Sequence, residues 1–182
     1  DASLLAEAYF FRGFDYFLLV QTYGGVPLDL GAGELKFNTS TVRTSVRNTV
    51  PEVYEKCIFP DLEKALADLP ENPRLTGTVT KNVARLYLAK AYLTYAWWLE
   101  NPNQIPTYPE CTRDAGQAKT YFQKAYDTAL QAINNPGPYA LQPTFYDVNV
   151  ATNDRNSEIM LYADHDENEK YGLADRKSGS AG

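Results

Sequence analysis

Aromatic side chains are the residues of this sequence best suited to hold a ligand, because the chain contains 14 Tyr, 8 Phe and 2 Trp. A sugar ring packs its apolar face on an exposed Trp or Tyr ring. Trp97 and Trp98 end a predicted helix, and Tyr108 lies in the proline-rich loop that follows. Adjacent helical residues point about 100° apart, so at most one tryptophan faces solvent usefully, and core packing is the simpler interpretation of the pair. Our candidate ligand-binding residues are Trp98 and Tyr108.

Catalytic and metal-binding motifs do not accompany these aromatic residues. His165 is the single histidine and stands in an acidic run, residues 164–169. Carboxylates bind hard cations, but the spacing does not match an EF-hand loop, and a solvated loop is the favoured interpretation. No motif supplies the nucleophile or paired carboxylate that His165 would need as a catalytic base. The sequence therefore predicts no enzyme, no metal site and no cofactor.

The composition is typical of a globular domain. The 182 residues are 44% hydrophobic, and 17 basic residues against 23 acidic ones give a net charge of −6. An acidic chain lacks the basic face that a nucleic-acid backbone requires. The mean hydropathy is −0.43, and no run approaches the roughly 20 apolar residues of a membrane span. Cys57 and Cys111 allow one disulfide, although free thiols are the favoured interpretation.

Four stretches have the apolar period of α-helices. They are residues 3–22, 50–69, 81–99 and 114–134. Thr49 and Glu52 form a capping-box pattern before the second stretch, and Thr80 can cap the third. Pro60 lies inside the second stretch, so we expect a kink there or a division into two helices.

Two of the predicted helices share one spacing pattern at an offset of 78 residues. A small residue, a large one and a second small one recur as Ala6, Phe10, Gly13 and as Ala84, Leu88, Ala91. Small residues seven apart lie on one helix face and allow a neighbouring helix to approach, as in the second helix of a tetratricopeptide repeat. The alternative is two ordinary amphipathic helices with alanines by chance. The alternation of the four helices favours an all-α fold of tetratricopeptide-like helix pairs, an α-α superhelix with little β-structure near the C-terminus.

This interpretation divides the chain into two parts. Residues 1–135 form the helical scaffold, and residues 136–182 form a loop and short-strand segment that leads into a missing C-terminal portion. The best strand candidate is 157–163. The long loop insertions are residues 26–48 and 100–113. The first helix has no preceding partner, so we expect another segment to cover it or the protein to begin earlier.

Four groups of segments carry a further resemblance when they are taken together. They are residues 6–13 (AEAYFFRG) with 21–28 (QTYGGVPL); 47–54 (RNTVPEVY) with 61–66 (DLEKAL) and 69–70 (LP); 80–93 (TKNVARLYLAKAYL); and 139–141 (YAL) with 156–160 (NSEIM). In this order they resemble the SusD/RagB family of bacterial outer-membrane nutrient-binding proteins. Each match is weak alone, but their order is specific.

The resemblance implies a surface-exposed lipoprotein of the cell outer membrane that captures glycans without chemistry. Its partners would be a glycan and a TonB-dependent transporter of the SusC type, with no nucleic acid. Membrane association would come only through an N-terminal lipid anchor absent from this chain. Members of the family are much longer, and Asn149-Val150 replaces the expected "L-F". The chain, which has no signal sequence, therefore resembles an internal fragment.

Two other functions compete with this one. A tetratricopeptide adaptor would bind a peptide in its helical groove, but adaptors keep their loops short and this chain has long insertions. A glycan-active enzyme would need catalytic carboxylates, and no such signature can be identified from sequence order alone.

Overall fold

The computed structural model describes residues 1–28, 47–75, 77–103 and 111–162. These residues form helices and connecting turns, and no β-strand occurs among them. The helices are α1 (Ala2–Tyr23), α2 (Val50–Val53), a π-helix (Tyr54–Ile58), α3 (Phe59–Asp68), α4 (Lys81–Glu100), α5 (Ala115–Asn134), α6 (Phe145–Asn149) and a 3-10 helix (Ala151–Asn153). The predicted all-α class is confirmed. Within the described ranges, none of the helices is long and apolar enough to cross a membrane.

All four predicted helices are present, with ends within one residue of the predicted ones. Both halves of the capping box between Thr49 and Glu52 form, and the Thr80 hydroxyl accepts the Val83 N–H at 3.4 Å. At the end of α1, Gly24 adopts φ 69°, a conformation that favours glycine, and its N–H bonds to the Val20 carbonyl. Side-chain caps and a glycine stop therefore fix the ends of the scaffold helices.

The second predicted helix is divided by a π-helical turn. α2, the π-helix and α3 follow one another without a gap, and the Phe59 N–H bonds to the Tyr54 carbonyl five residues earlier. Pro60 is the second residue of α3, two positions after the end of this turn. Proline removes one N–H and crowds the carbonyl four residues before it. A widened turn is a common way for a helix to absorb such a disturbance.

The long helices pack in chain order, α1 on α3, α3 on α4 and α4 on α5. The six residues of the repeated pattern are all buried: Ala6, Phe10, Gly13, Ala84, Leu88 and Ala91. A Cβ atom on Gly13 would lie 3.1 Å from Cγ of Leu62 and 3.2 Å from Cβ of Asp61. The small positions therefore do what the spacing predicts, because they let a neighbouring helix approach closely.

An ion pair joins α1 to α3 beside Gly13. Arg12 donates to Asp61 from Nε at 2.6 Å and from Nη2 at 2.8 Å. The Cys57 thiol also donates to Asp61, at 3.7 Å. Asp61 is only 2% exposed, so three donors compensate a buried carboxylate.

The segment after α5 differs from the prediction. We expected a strand over residues 157–163, but residues 157–162 contain none and residue 163 lies outside the described residues. The side chain of Asn156 accepts the Glu158 N–H, and its carbonyl accepts the Ile159 N–H, which folds the backbone into a turn. One sheet-like bond remains, from the Ala140 N–H to the Ser157 carbonyl. Asn156 therefore competes locally with strand formation.

Candidate ligand-binding site

The two tryptophans at the end of α4 point in different directions, as their helical spacing requires. Trp97 is 56% exposed and packs edge-on against Phe122. Trp98 is only 6% exposed, and its ring stacks on Tyr95 with 5.8 Å between the ring centroids. Trp98 is thus not an open platform for a sugar. The tryptophan that faces solvent is Trp97.

Trp98 nevertheless lines a small pocket between three helix ends, which we call the Trp98 pocket. The C-terminal end of α1, the start of the second helical stretch and the end of α4 meet there. The lining residues are Val20, Gln21, Gly24, Val50, Tyr54, Thr94 and Trp98. The volume of about 160 Å³ is near the roughly 150 Å³ of an apolar cavity known to hold one benzene ring. A mostly apolar hollow of this size suits one ring rather than an extended chain.

Two polar groups at the Trp98 pocket, the Tyr54 hydroxyl and the Trp98 indole nitrogen, are buried. Burial raises the pKa of the Tyr54 hydroxyl above its ordinary value, so this group stays protonated. The indole Nε1 of Trp98 is buried and has no hydrogen-bond partner in the part of the chain that the structure describes. An unsatisfied buried donor costs roughly 1–3 kcal/mol, and an acceptor atom of a bound molecule would remove that cost.

Tyr108 lies outside the described residues, as do His165 and the acidic run 164–169. Tyr108 therefore stays a prediction. Within the described ranges, no group of three or more His, Cys, Asp or Glu side chains could hold a metal ion. Cys57 and Cys111 do not form a disulfide with each other; the first is buried and the second half-buried.

A second and larger hollow lies beside the N-terminal end of α4, and we call it the Tyr139 groove. Residues 73–75 with 77 and 78 form one side, and Pro138 and Tyr139 with the turn 155–162 form the other. Its volume is about 490 Å³, within the roughly 300–1,000 Å³ range of small-molecule sites. It is large enough for a sugar ring and its substituents.

A hydrogen-bonded chain holds the floor of the Tyr139 groove. The hydroxyls of Thr80 and Tyr139 lie 2.9 Å apart, and Tyr139 donates to the Met160 carbonyl at 3.3 Å. Since one hydroxyl has one proton, Thr80 is then the donor to Tyr139. This chain ties the cap of α4 to the C-terminal turn. Burial raises the pKa of Tyr139, and the Thr80 bond opposes that shift.

Sequence reasoning missed this groove as a site, although one signal pointed to its residues. The segments 139–141 and 156–160 are part of the family resemblance, and Tyr139 and Asn156–Met160 meet at the groove. The two arginines that line it, Arg74 and Arg155, belong to none of the motifs. They lie about 80 residues apart in the sequence, and only the fold brings them together.

A family model named SusD-like and described as "Starch-binding associating with outer membrane" matches residues 2–93. The chain belongs to the SusD-like family. The match extends from the start of α1 into α4 and includes both copies of the small-large-small pattern. The family resemblance predicted from the four groups of segments is confirmed.

This SusD-like chain is similar to a curated protein and to solved structures. The chain is 29% identical to SusD-like protein P2 from Formosa agariphila over 146 residues, which are 79% of this chain and 23% of that protein. The crystal structure of a SusD superfamily protein from Parabacteroides distasonis superposes with a TM-score of 0.71 and 27% identity. A second superfamily structure, from Bacteroides fragilis, reaches a TM-score of 0.67 at 24% identity and shows the fold alone.

The SusD-like chain spans only part of these relatives. The superposition on the Parabacteroides protein includes 93% of this chain but only 32% of that protein. Over this shared part the relatives have the tetratricopeptide-like helical architecture described above, so the predicted helix pairs are confirmed.

Proposed function

We propose that the intact protein captures glycans at the outer-membrane surface of a bacterium and delivers them to a TonB-dependent transporter of the SusC type. Binding alone performs this function, without cleavage of the glycan. The observation that carries the proposal is the match of residues 2–93 to the starch-binding, outer-membrane-associated SusD-like family. An N-terminal lipid anchor would hold the protein at the membrane surface.

The geometry supports a binding role in two ways. Two hollows lie at helix ends and turns, where loops can add further contacts. The connections between the long helices also contain many residues: 24–49 separate α1 from α2, and 101–114 separate α4 from α5. A peptide adaptor uses short connections and a continuous groove, so glycan capture is the better-supported function.

The first experiment is calorimetric titration of the intact protein with soluble polysaccharides, including starch fragments, xylan and pectin. We expect saturable binding of at least one of them and no release of reducing ends on prolonged incubation. Failure of every polysaccharide, together with binding of an extended peptide, would overturn glycan capture. Release of reducing ends would instead assign an enzyme.

A matched pair of variants tests whether the Trp98 pocket takes part. Thr94 lines the pocket beside Trp98, whereas Leu93 is 45% exposed and does not line it. Thr94→Phe should fill the pocket and weaken binding of the identified glycan about tenfold, while Leu93→Phe should leave the dissociation constant unchanged. Equal affinities for both variants and the parent would remove Trp98 from the site.

Delivery to a transporter needs a separate test. The tagged intact protein, captured from outer membranes solubilised in mild detergent, should bring down a TonB-dependent transporter in near-equal amount. The gene for such a transporter should also lie directly upstream. Capture of no transporter from membranes in which both proteins are expressed would contradict the delivery step and leave glycan capture standing.

A further inference from the structure

The Trp98 pocket contrasts with the acidic molecule around it. The net charge of the protein is −6, but the described residues that line this pocket are two valines, a glycine, two aromatic residues, a glutamine and a threonine. A charged ligand would lose its hydration there without meeting an opposite charge. The lining therefore favours a neutral ligand with a mostly apolar surface.

The aromatic walls of the pocket are held in place by a third ring. Tyr95 is 1% exposed, and it stacks on Tyr54 with 4.7 Å and on Trp98 with 5.8 Å between the ring centroids. Tyr54 also meets Phe17 of α1 edge-on, at 6.4 Å. Because these rings pack on one another, the two walls keep their positions without the help of a ligand. A preformed hollow of this kind suits a flat and rigid group, which loses little conformational freedom on entering it.

The polar groups of the pocket are too few for a whole sugar ring. Gln21 already donates from Nε2 to the Phe17 carbonyl at 3.0 Å, and Thr94 and Tyr54 add one hydroxyl each. A sugar ring carries a hydroxyl on most of its carbon atoms, and each one that is buried without a partner costs free energy. The pocket volume of about 160 Å³ matches one aromatic ring, so a methyl or acetyl group would leave much of it empty. A planar, mostly hydrocarbon ring meets both conditions.

Trp98 contributes a donor that the protein itself does not use. It is 6% exposed, and its indole Nε1 has no hydrogen-bond partner in the described part of the chain. Nearly all buried donors in folded proteins are paired, so this exception requires a physical reason. An oxygen substituent on a ligand ring would accept the N–H and satisfy it. The lining thus describes a ring with few oxygen atoms rather than a bare hydrocarbon.

We propose that the Trp98 pocket binds an aromatic acyl group that is esterified to the glycan, such as a hydroxycinnamoyl ester. The ring packs on Tyr54, Trp98 and the two valines, and one of its oxygen substituents accepts the Trp98 N–H. The ester points toward solvent, so the sugar chain stays outside the pocket. This inference rests on the proposed glycan capture and names the class of glycan, one that carries neutral aromatic esters.

The test titrates the intact protein with a feruloylated arabinoxylan trisaccharide and, as a matched ligand, with the same trisaccharide after alkaline removal of the ester. The feruloylated form should bind about tenfold more tightly, because burial of the ring adds apolar contact. Thr94→Phe should abolish this difference, whereas Leu93→Phe, outside the pocket, should retain it. Thr94→Val replaces a hydroxyl by a methyl group and should tighten binding of the feruloylated form about threefold. Thermal melting of each variant shows whether it is folded.

The variants decide what kind of group the pocket holds. A difference between the two ligands that is lost in Thr94→Phe and kept in Leu93→Phe supports the aromatic subsite. Equal binding of the two ligands by the parent protein, or a difference that a folded Thr94→Phe retains, overturns it. Weaker binding of the feruloylated form by Thr94→Val also overturns it, because that result would assign the pocket to a hydrogen-bonded sugar ring. Thr94→Val decides the question if Thr94→Phe does not fold.

Further ligands separate the aromatic subsite from glycan capture in general. Binding of an unesterified polysaccharide would leave glycan capture standing after the subsite had failed, whereas failure of every glycan would overturn both proposals. Methyl ferulate, which is the ring without a sugar, should bind to the parent protein and not to Thr94→Phe. If N-acetylphenylalanine amide bound as tightly as methyl ferulate, the pocket would belong to an aromatic side chain of a protein partner instead.

Discussion

Helices α1 and α4 carry the same small-large-small pattern, but they lie in different surroundings. α4 packs against α3 and α5, whereas α1 packs mainly against α3. α1 consequently leaves six large hydrophobic side chains exposed: Leu4, Leu5, Phe11, Leu18, Leu19 and Tyr23. On α4 the comparable set is Leu93 and Trp97. The pattern therefore specifies one packed face of each helix. Whether the remaining faces are buried or exposed depends on how many helices pack against that helix.

The two helices also differ in the polar links to their neighbours. α1 is joined to α3 by the buried pair of Arg12 and Asp61. α4 is joined to the second helical stretch by tyrosine hydroxyls, because Tyr92 donates to Glu63 at 2.6 Å and Tyr95 donates to Glu55 at 2.9 Å. The repeat places Phe14 and Phe17 of α1 at the positions of these tyrosines, so α1 has no hydroxyl to offer there. The two helices thus share one spacing of small and large residues, but an ion pair links α1 to its neighbour and tyrosine hydroxyls link α4 to its neighbour.

The two cysteines should differ in how fast they react with a disulfide reagent. Cys57 lies at the α1/α3 junction, where burial and then the charge of Asp61 raise the pKa of its thiol to about 12. At pH 8 its thiolate fraction is then about one in 10⁴. Burial also raises the pKa of Cys111, but this thiol is only half-buried and is therefore more accessible to a reagent than Cys57. We expect a disulfide reagent to label Cys111 in the native protein at least a hundredfold faster than Cys57. Equal labelling rates would show that the α1/α3 junction is open.

The same pKa predicts a loss of stability at alkaline pH. An unfolded thiol ionises near pH 9, whereas the folded one ionises near 12. The folded state therefore binds the proton more tightly, and its contribution to stability is complete below pH 9 and is lost as the pH rises toward 12. Denaturant titrations at pH 7 and pH 10 measure this loss, which Cys57→Ala should reduce.

Asp61→Ala is the substitution that should separate the two junctions most strongly. It removes a carboxylate that is 2% exposed and leaves Arg12 without its partner. Breaking a buried pair costs about 3–5 kcal/mol. Because a third of the Arg12 side chain is exposed, solvent compensates part of that cost, and we expect about 2–3 kcal/mol. Chemical denaturation gives the free energy of unfolding.

Glu55→Ala is the matched comparison at the α4 junction. Glu55 is exposed, so the loss of its bond from Tyr95 should cost about 1 kcal/mol or less. A loss for Glu55→Ala equal to that for Asp61→Ala would mean that the two polar links are energetically equivalent, contrary to the comparison.

Gly13→Ala tests whether the first copy of the pattern tolerates the Cβ atom that Ala91 carries in the second. Alanine gains roughly 1 kcal/mol over glycine in a helix interior, but here its Cβ would lie 3.1 Å from Leu62 and 3.2 Å from Asp61. Leu62 is fully buried and Asp61 is held by Arg12, so neither moves easily, and overpacking costs about 1–3 kcal/mol. We expect a net loss of about 1 kcal/mol by chemical denaturation.

Gly116→Ala provides the control for that substitution. Gly116 lies in the first turn of α5, is exposed, and a Cβ atom there would meet the Asp114 carboxylate at 3.4 Å, an ordinary contact. The same substitution should therefore stabilise the protein by up to about 1 kcal/mol. Stabilisation at both glycines would mean that α1 and α3 can separate without cost.

The sequence predicted the scaffold well because its signals are local. The 3.6-residue period and the capping residues Thr49 and Thr80 each act within a few positions. The small-large-small pattern also predicted which face of α1 and α4 is packed, because close helix approach depends on the size of those side chains.

The candidate site was predicted less well because it depends on contacts between distant residues. Helical spacing showed that one tryptophan is buried, but not that Trp98 would be the buried one and Trp97 the exposed one. The apolar run at 157–163 suggested a strand, and the side chain of Asn156 turned it into a bend. Arg74 and Arg155 line one groove only because the segment that precedes α4 lies beside the turn 155–162.

Tyr95→Phe is the most direct test of the difference between the two copies, because it places on α4 the residue type that α1 carries at Phe17. The ring is 1% exposed and packs on Tyr54 at 4.7 Å, so the substitution removes the hydroxyl and preserves the ring contacts. Burial, and then the hydrogen bond to Glu55, raises the pKa of Tyr95, so the hydroxyl is a donor throughout the neutral range. Because Glu55 is exposed and regains water, we expect a loss of about 1 kcal/mol in denaturant titrations.

Tyr126→Phe is the control. At a position 63% exposed, it should change stability by less than about 0.5 kcal/mol. If Tyr95→Phe left stability unchanged or increased it, the tyrosine hydroxyls would not stabilise the α4 junction, and the ring contacts alone would distinguish it from the ion-paired junction of α1.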